Sequence, residues 1–260
     1  MNKQSRKELL IIIPAYNEEK NISALLDKLE QPEIADIADI LVMNDASSDA
    51  TNWITKERNH TVVTHVFNLG YGSALQLGYK YAIRREYQYV VQMDADGQHD
   101  VCNVKQIYQA LKTADENGKY PDIILGSRFL EGSGYYPVGI VRKTAMKLFR
   151  GMIYLATGRK ITDPTTGLQG LSRRVVLFYS KYNHFDDKYP DANMIMQMLL
   201  LGFQVKEIPA VMHPRMEGVS MHSGLKPMIY MFRMMFSIIA VWIRIKCLKI
   251  DVGAIDEKES

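Results

Sequence analysis

Tyr89-Val90-Val91-Gln92-Met93-Asp94-Ala95-Asp96-Gly97-Gln98-His99 changes character halfway along. Its first half is apolar and uncharged, which reads as a strand buried in a sheet. Its second half delivers two carboxylates, one residue apart, where that strand ends. Period-2 alternation puts Asp94 and Asp96 on one face. Bare carboxylates so placed repel each other, and a hard divalent cation relieves the repulsion. Such a cation, Mg2+ or Mn2+, in turn holds a diphosphate and stabilises it as a leaving group. Gln98 offers a further carbonyl oxygen. The competing reading is a solvated Asp-x-Asp turn. His99 reads either as another ligand or as a satisfied polar histidine.

Outward from this stretch, short apolar runs alternate with longer helical patterns, the signature of a mostly parallel sheet covered by helices. Strands are expected at 9–14, 40–44, 62–67, 89–93 and 123–126, with helices at 21–30, 49–58, 73–85 and 101–116. After about Ser127 the pattern changes. A Gly- and Tyr-rich loop (131–139) leads into a helix ending at Gly158, then a turn-rich segment (162–170), a helix over 191–201 and a strand over 205–211.

The 260 residues suit one large α/β domain with at most an appendage. Apolar residues make up 47% and charged residues 23%, so wholesale disorder is excluded. A formal charge of +3 gives no case for a nucleic-acid partner. The two cysteines, Cys102 and Cys247, have no ligand spacing and point to a reduced, cytoplasmic setting. The apolar run 9–13 stops at Pro14, too short for a signal peptide, so no export is expected.

Ligands of open α/β sheets bind beyond the carboxyl ends of strands. The first strand ends in Ile13-Pro14-Ala15-Tyr16-Asn17-Glu18-Glu19, which suits either a nucleotide or a strand-to-helix turn with a polar cap. The second ends in Val42-Met43-Asn44-Asp45-Ala46-Ser47-Ser48-Asp49. Here Asp45 is placed to accept from a base N–H, while Ser47, Ser48 and Asp49 suit capping of the next helix. The third gives Asn68-Leu69-Gly70-Tyr71-Gly72-Ser73-Ala74, where Gly70 and Gly72 permit a tight turn or close approach of a ligand. It is neither a dinucleotide fingerprint nor a P-loop.

In this order the four segments resemble the inverting glycosyltransferases of family two, which have a GT-A fold, an α/β fold with a mostly parallel central sheet. The resemblance continues through Leu125-Gly126-Ser127-Arg128-Phe129 and Asp163-Pro164-Thr165-Thr166-Gly167-Leu168-Gln169-Gly170, and covers about 9–220. Within the family it is most similar to the dolichol- and polyprenyl-phosphate sugar synthases. It implies that Pro14, Ala15, Asn17, Glu18, Asp45, Gly70 and Gly72 lie against the nucleotide. Asp94, Ala95 and Asp96 would hold the donor, Asp94, Asp96 and Gln98 the metal, and Arg128 would face phosphate. Tyr71 stands where those synthases often carry Lys.

Two later segments concern the acceptor. Tyr189-Pro190-Asp191-Ala192-Asn193 opens a helix, with Asp191 either a cap or, for a hydroxyl acceptor, a general base. In His213-Pro214-Arg215-Met216-Glu217-Gly218-Val219-Ser220, a loop that could close over phosphate, Arg215 supplies a forked charge and Ser220 a small donor. A surface turn is the alternative. Finally, 227–248 reads PMIYMFRMMFSIIAVWIRIKCL. Arg233 interrupts it, so the expectation is an amphipathic helix at a membrane surface or against a small membrane partner protein, not a simple crossing.

The expected organisation is therefore a GT-A domain (1–222), an amphipathic helix (223–250) and a polar tail (251–260). The expected activity is metal-dependent, inverting transfer of a hexose from a UDP- or GDP-sugar to a polyprenyl-phosphate-type lipid, peripherally at the inner face of a membrane. The rivals are transfer to a hydroxyl of a lipid-linked saccharide or glycan, nucleotidyl transfer, and a non-catalytic nucleotide-sugar scaffold.

Overall fold

Leu9–Ala15 (β1) carries no charge, and all seven of its residues are buried. The reason is its central place in the computed structural model, which describes residues 7–134, 139–213 and 226–248. Helices α1 (Glu19–Leu29) and α2 (Pro32–Ala35) lead to β2 (Ala38–Asn44), α3 (Thr51–Glu57), β3 (Thr61–Thr64), α4 (Tyr71–Arg84) and β4 (Tyr89–Gln92). Then follow α5 (Cys102–Leu111), β5 (Ile123–Ser127), α6 (Ile140–Thr157), β6 (Gln169–Ser172) and α7 (Arg173–Ser180). The chain continues through α8 (Ala192–Leu200), β7 (Val205–Pro209) and α9 (Lys226–Trp242), which runs into a π-helical turn, Ile243–Cys247.

The strands form one seven-stranded sheet in the order β3-β2-β1-β4-β6-β5-β7. Only β6 runs antiparallel to its neighbours, β4 and β5. Alternate residues of β1 feed two cores. Leu10 and Ile12 pack with Leu75 and Tyr79 of α4, while Leu9, Ile11 and Ile13 pack with Ile22, Leu25 and Leu26 of α1. Each such Leu or Ile contributes about 1.5–3 kcal/mol of burial free energy. The α/β class and mostly parallel sheet are as expected from the sequence.

β1 pairs with β2 on one side and β4 on the other, so the connections diverge and leave a crevice at the carboxyl ends of these strands. The three loops carrying the polar motifs open there.

Three local expectations are corrected. β3 stops at Thr64, because Asp45 captures the following loop. α5 stops at Leu111, ahead of a turn in which the Asp115 carboxylate accepts from the N–H groups of Asn117 and Lys119. The segment read as turns to 170 contains the start of β6, and α7 follows it directly. Its Gly170 is dictated by packing, since a Cβ there would collide with Ile107 of α5.

The C-terminal helix lies within the expected 223–250 span. Met228–Cys247 forms a continuous helical segment of 20 residues with mean hydropathy 1.6, enough by length and composition to cross a membrane. One face is docked on the body of the protein: Met234, Ile238 and Val241 are buried in the main core. Ser237 accepts from Asn193 Nδ2 at 2.8 Å, and Arg244 bonds to Gln197. The opposite face is open, with Ile229, Phe232, Phe236, Ile239 and Ile243 exposed at helical spacing.

Candidate active site

The loops after β1 and β2 are laced together. Asn17, at φ 54°, donates its N–H to Ser47 Oγ (3.0 Å) and accepts from the Ser48 N–H (2.9 Å). Glu18 donates its N–H to Thr51 Oγ1 and accepts from Asn21 Nδ2 at 2.7 Å. The expected capping of α3 by serines is replaced by this bracing, and only Asp49 reaches back to the Thr51 N–H (3.0 Å). Pro14 and Ala15 are buried beneath the braced loops as the last residues of β1.

Asp45 is 4% exposed. Its carboxylate accepts from the N–H groups of Leu69 (2.9 Å) and Gly70 (2.8 Å), and His65 Nδ1 lies 2.7 Å away. It thereby fixes the turn into α4, where Gly70 sits at φ 97°. Gly72 has a reason other than ligand approach: a Cβ there would collide with the backbone carbonyl of Asp186. Ser73 donates its N–H to the Asp187 carbonyl at 2.9 Å. The first turn of α4 is thus covered by the chain itself, which gives Gly72 a packing role.

Asp94 and Asp96 both sit beyond the end of β4, so strand alternation does not set their relation. Asp94 Oδ1 accepts from the Tyr71 hydroxyl at 3.0 Å, and Oδ2 lies 3.4 Å from His99 Nε2. Burial pushes the Asp94 carboxyl up, but His99, Tyr71 and the nearby Arg128 charge together hold it below the usual carboxylate range. It is ionised at neutral pH. Asp96 Oδ1 accepts from the Gln98 N–H at 3.1 Å, Ala95 between the two acids is buried, and the Gln98 carbonyl accepts from the His213 N–H at 2.7 Å. His99 is only half satisfied: it is 3% exposed, and Nδ1 has no hydrogen-bond partner among the described residues.

Arg128 has an internal partner. Its guanidinium makes a two-pronged contact with Asp163, 2.6 Å from Nε and 2.6 Å from NH2, and NH2 also reaches Thr165 Oγ1 at 3.0 Å. Arg128 is 6% exposed and Asp163 fully buried. Asp163 supplies the counter-charge that a buried guanidinium requires. Arg128 still acts at a distance, lowering the pKa of both Asp94 and Asp191.

Asp191 precedes α8, but its side chain makes no capping hydrogen bond, so the capping expectation is corrected. Asn193 Oδ1 accepts from the N–H groups of Asp191 and Met194 instead, both at 2.9 Å. The freed Asp191 carboxylate accepts from the Tyr230 hydroxyl at 2.6 Å. Burial raises its pKa to about 6; Tyr230 opposes the shift, the Asp94 charge adds to it, and Arg128 and Arg142 oppose it. Arg215 and Ser220 lie outside the described residues.

With this geometry in view, the family model described as "Glycosyl transferase family 2" matches residues 10–178. The chain belongs to glycosyl transferase family 2. Among its relatives is the undecaprenyl-phosphate mannosyltransferase of Micrococcus luteus, 30% identical over 83% of this chain and 88% of that protein. Another is the polyprenol monophosphomannose synthase of Mycolicibacterium smegmatis, 29% identical over 83% of this chain and 81% of that protein. The fold is that of the glucosyl-3-phosphoglycerate synthase of Mycobacterium tuberculosis, solved with Mn2+, UDP and glucosyl-3-phosphoglycerate. That match has a TM-score of 0.61 and 17% identity, and covers 93% of this chain and 80% of that one. The GT-A fold and the glycosyltransferase class expected from the sequence both stand.

Four residues of this glycosyltransferase's site were not assigned roles by sequence reasoning. Tyr71 had been noted only as a departure, yet its hydroxyl holds Asp94. Asp163 was legible as one acid in a turn-rich segment, with nothing to connect it to Arg128. Arg142 of α6 and Tyr230 of α9 lie in helices whose patterns report only their apolar faces.

Proposed function

We propose that this glycosyltransferase moves a hexose from a nucleoside diphosphate sugar to a polyprenyl-phosphate-type lipid, with inversion at the anomeric carbon. The observation that carries the reading is an Asp94 carboxylate, held ionised at the carboxyl end of β4, within electrostatic reach of Asp191. Donor and acceptor sides of a transfer reaction thus meet in one crevice.

Asp94, Asp96 and Gln98 fit a hard divalent cation, because their oxygens are the right donors and Asp94 stays charged. These residues would hold Mg2+ or Mn2+, which neutralises charge on the departing diphosphate. Tyr71 and His99 orient Asp94. Asp45 and the braced Asn17 and Glu18 loop shape the nucleoside end of the crevice. On the acceptor side, Arg128 is paired with Asp163, and among the described residues Arg142, exposed on α6 and close enough to lower the pKa of Asp191, is a cation suited to meet an acceptor phosphate. An acceptor oxygen attacks the anomeric carbon, the bond from that carbon to the diphosphate oxygen breaks, and its electron pair leaves with the nucleoside diphosphate.

The lipid end of the reading rests on α9 and α6. The open stripe of α9, together with Leu148, Tyr154 and Leu155 exposed on α6, presents apolar surface beside Lys147, Arg150 and Arg233. Such a surface suits the headgroup region of an anionic leaflet. Packing of the other face of α9 on the domain supports a helix lying along the membrane surface over one crossing it.

A second reading, transfer to a hydroxyl, is favoured by the Asp191 pKa of about 6, which suits a general base. The test uses sugar-labelled UDP- and GDP-glucose and -mannose with a short polyprenyl phosphate in detergent, with Mn2+ or with EDTA. The expected result is label in the lipid fraction from one donor base, abolished by EDTA. Label recovered only as free sugar, or undiminished transfer in EDTA, overturns the proposal.

A further inference from the structure

Tyr230 stands at the junction of the two faces of α9. Residues 230, 234, 237, 238 and 241 form its inward stripe, and 229, 232, 236, 239 and 243 its outward one. The inward stripe is apolar except at two positions, and both reach the start of α8. Ser237 bonds to Asn193, whose side chain braces the backbone there, while the Tyr230 hydroxyl bonds directly to the Asp191 carboxylate at 2.6 Å. The ring of Tyr230 is itself clamped edge-on between Phe149 of α6, at 6.5 Å, and Tyr189, at 5.7 Å. A ring fixed on both sides aims its hydroxyl at one place, and that place is the Asp191 carboxylate.

We infer that Tyr230 is a positioning residue for the acceptor: its hydroxyl fixes Asp191, so the lipid-facing helix completes the acceptor side of the crevice. The inference rests on the glycosyl-transfer reading above and goes beyond it by assigning a residue from outside the family-model match. The chemical reason for such a link is the acceptor itself. A prenyl chain in the bilayer presents its phosphate at the surface, so the groups that receive it need a fixed position relative to the helix lying on that surface. A hydrogen bond from that helix to Asp191, beside Arg142, supplies the fixed reference.

Tyr230→Phe keeps the ring and its packing and removes only the hydroxyl. With a short polyprenyl phosphate as acceptor, the variant is expected to raise acceptor KM about fivefold, as loss of one charge-assisted hydrogen bond would. Donor KM is expected to stay within about twofold, with the melting temperature nearly unchanged. Ser237→Ala removes a hydrogen bond from the same helix to the same helix start, and is expected to leave acceptor KM within about twofold. Tyr230→Phe combined with Asp191→Ala should be no worse than Asp191→Ala alone, the mark of a residue acting through another. Wild-type acceptor KM in Tyr230→Phe, an equal rise in Ser237→Ala, or additive losses in the double variant would each overturn the inference. A wild-type enzyme that transfers no sugar overturns the glycosyl-transfer reading, and this inference with it.

Discussion

At the donor rim, next to β1 and β2, each polar group is fixed by partners at the mouth of a neighbouring parallel strand. Asn17 meets Ser47 and Ser48, Glu18 meets Thr51, and Asp45 meets Leu69 and Gly70. The acceptor rim is built differently. Asp191 is held by Tyr230, 39 residues later, and Arg128 by Asp163, 35 residues later, so helices and a long excursion set the geometry. The contrast teaches where variation is tolerated. A sheet edge can present a nucleotide-binding rim from short motifs alone, whereas the acceptor rim depends on how α6, α8 and α9 pack.

The sharpest way to break this comparison is at the donor rim. Asp96→Ala is expected to reduce transfer by about three orders of magnitude or more, since one carboxylate then remains at the end of β4. Circular dichroism should report an intact fold, and near wild-type turnover would remove the metal role. A second pair separates structure from binding among the acceptor-side arginines. Asp163→Ala leaves Arg128 buried without its counter-charge and should cost about 3–5 kcal/mol of stability by denaturant unfolding. Arg142→Ala should leave stability within about 0.5 kcal/mol and lower acceptor kcat/KM about tenfold. A reversal of these two outcomes would mean that Arg128, not Arg142, meets the acceptor.

The mildest test is Asp191→Asn. With a phosphate acceptor, already an anion, kcat should fall less than about tenfold; a loss beyond about 100-fold points to a hydroxyl acceptor and a true base. The same variant has a stability signature. The Asp191 pKa is raised from 3.8 to about 6, so the folded state favours the protonated form. Its contribution is fully present below about 3.8 and is lost as pH rises through about 6. Asp191→Asn should therefore melt about one or two degrees above wild type at pH 7.5 and not at pH 4. Equal melting shifts at both pH values would show that Asp191 is not perturbed.

How much was legible in the sequence follows the same division. The central strands announced themselves as uncharged runs, and the motifs at their ends identified the family, because both signals are local. β6 did not, since Gly170 has no side chain to pattern and is there to admit Ile107. The relation between Asp94 and Asp96 is not set by strand alternation, because the last paired residue of β4 is Gln92. The Arg128 motif says only that a cation is present; its partner Asp163 is invisible without the fold. The place of Asp191 before a helix left a cap and a general base both open; Asn193 does the bracing and leaves the carboxylate to Tyr230.

The docked C-terminal helix has a consequence for how this enzyme can change over time. Its outward residues, such as Phe232 and Phe236, are exposed, whereas the Tyr230 hydroxyl is turned inward to the Asp191 carboxylate. Drift along one stripe can retune residence, the choice of leaflet or lipid neighbourhood, with the chemistry held constant. Drift along the other can retune the chemistry with residence held constant. A single helix thereby keeps address and activity as two separately adjustable traits.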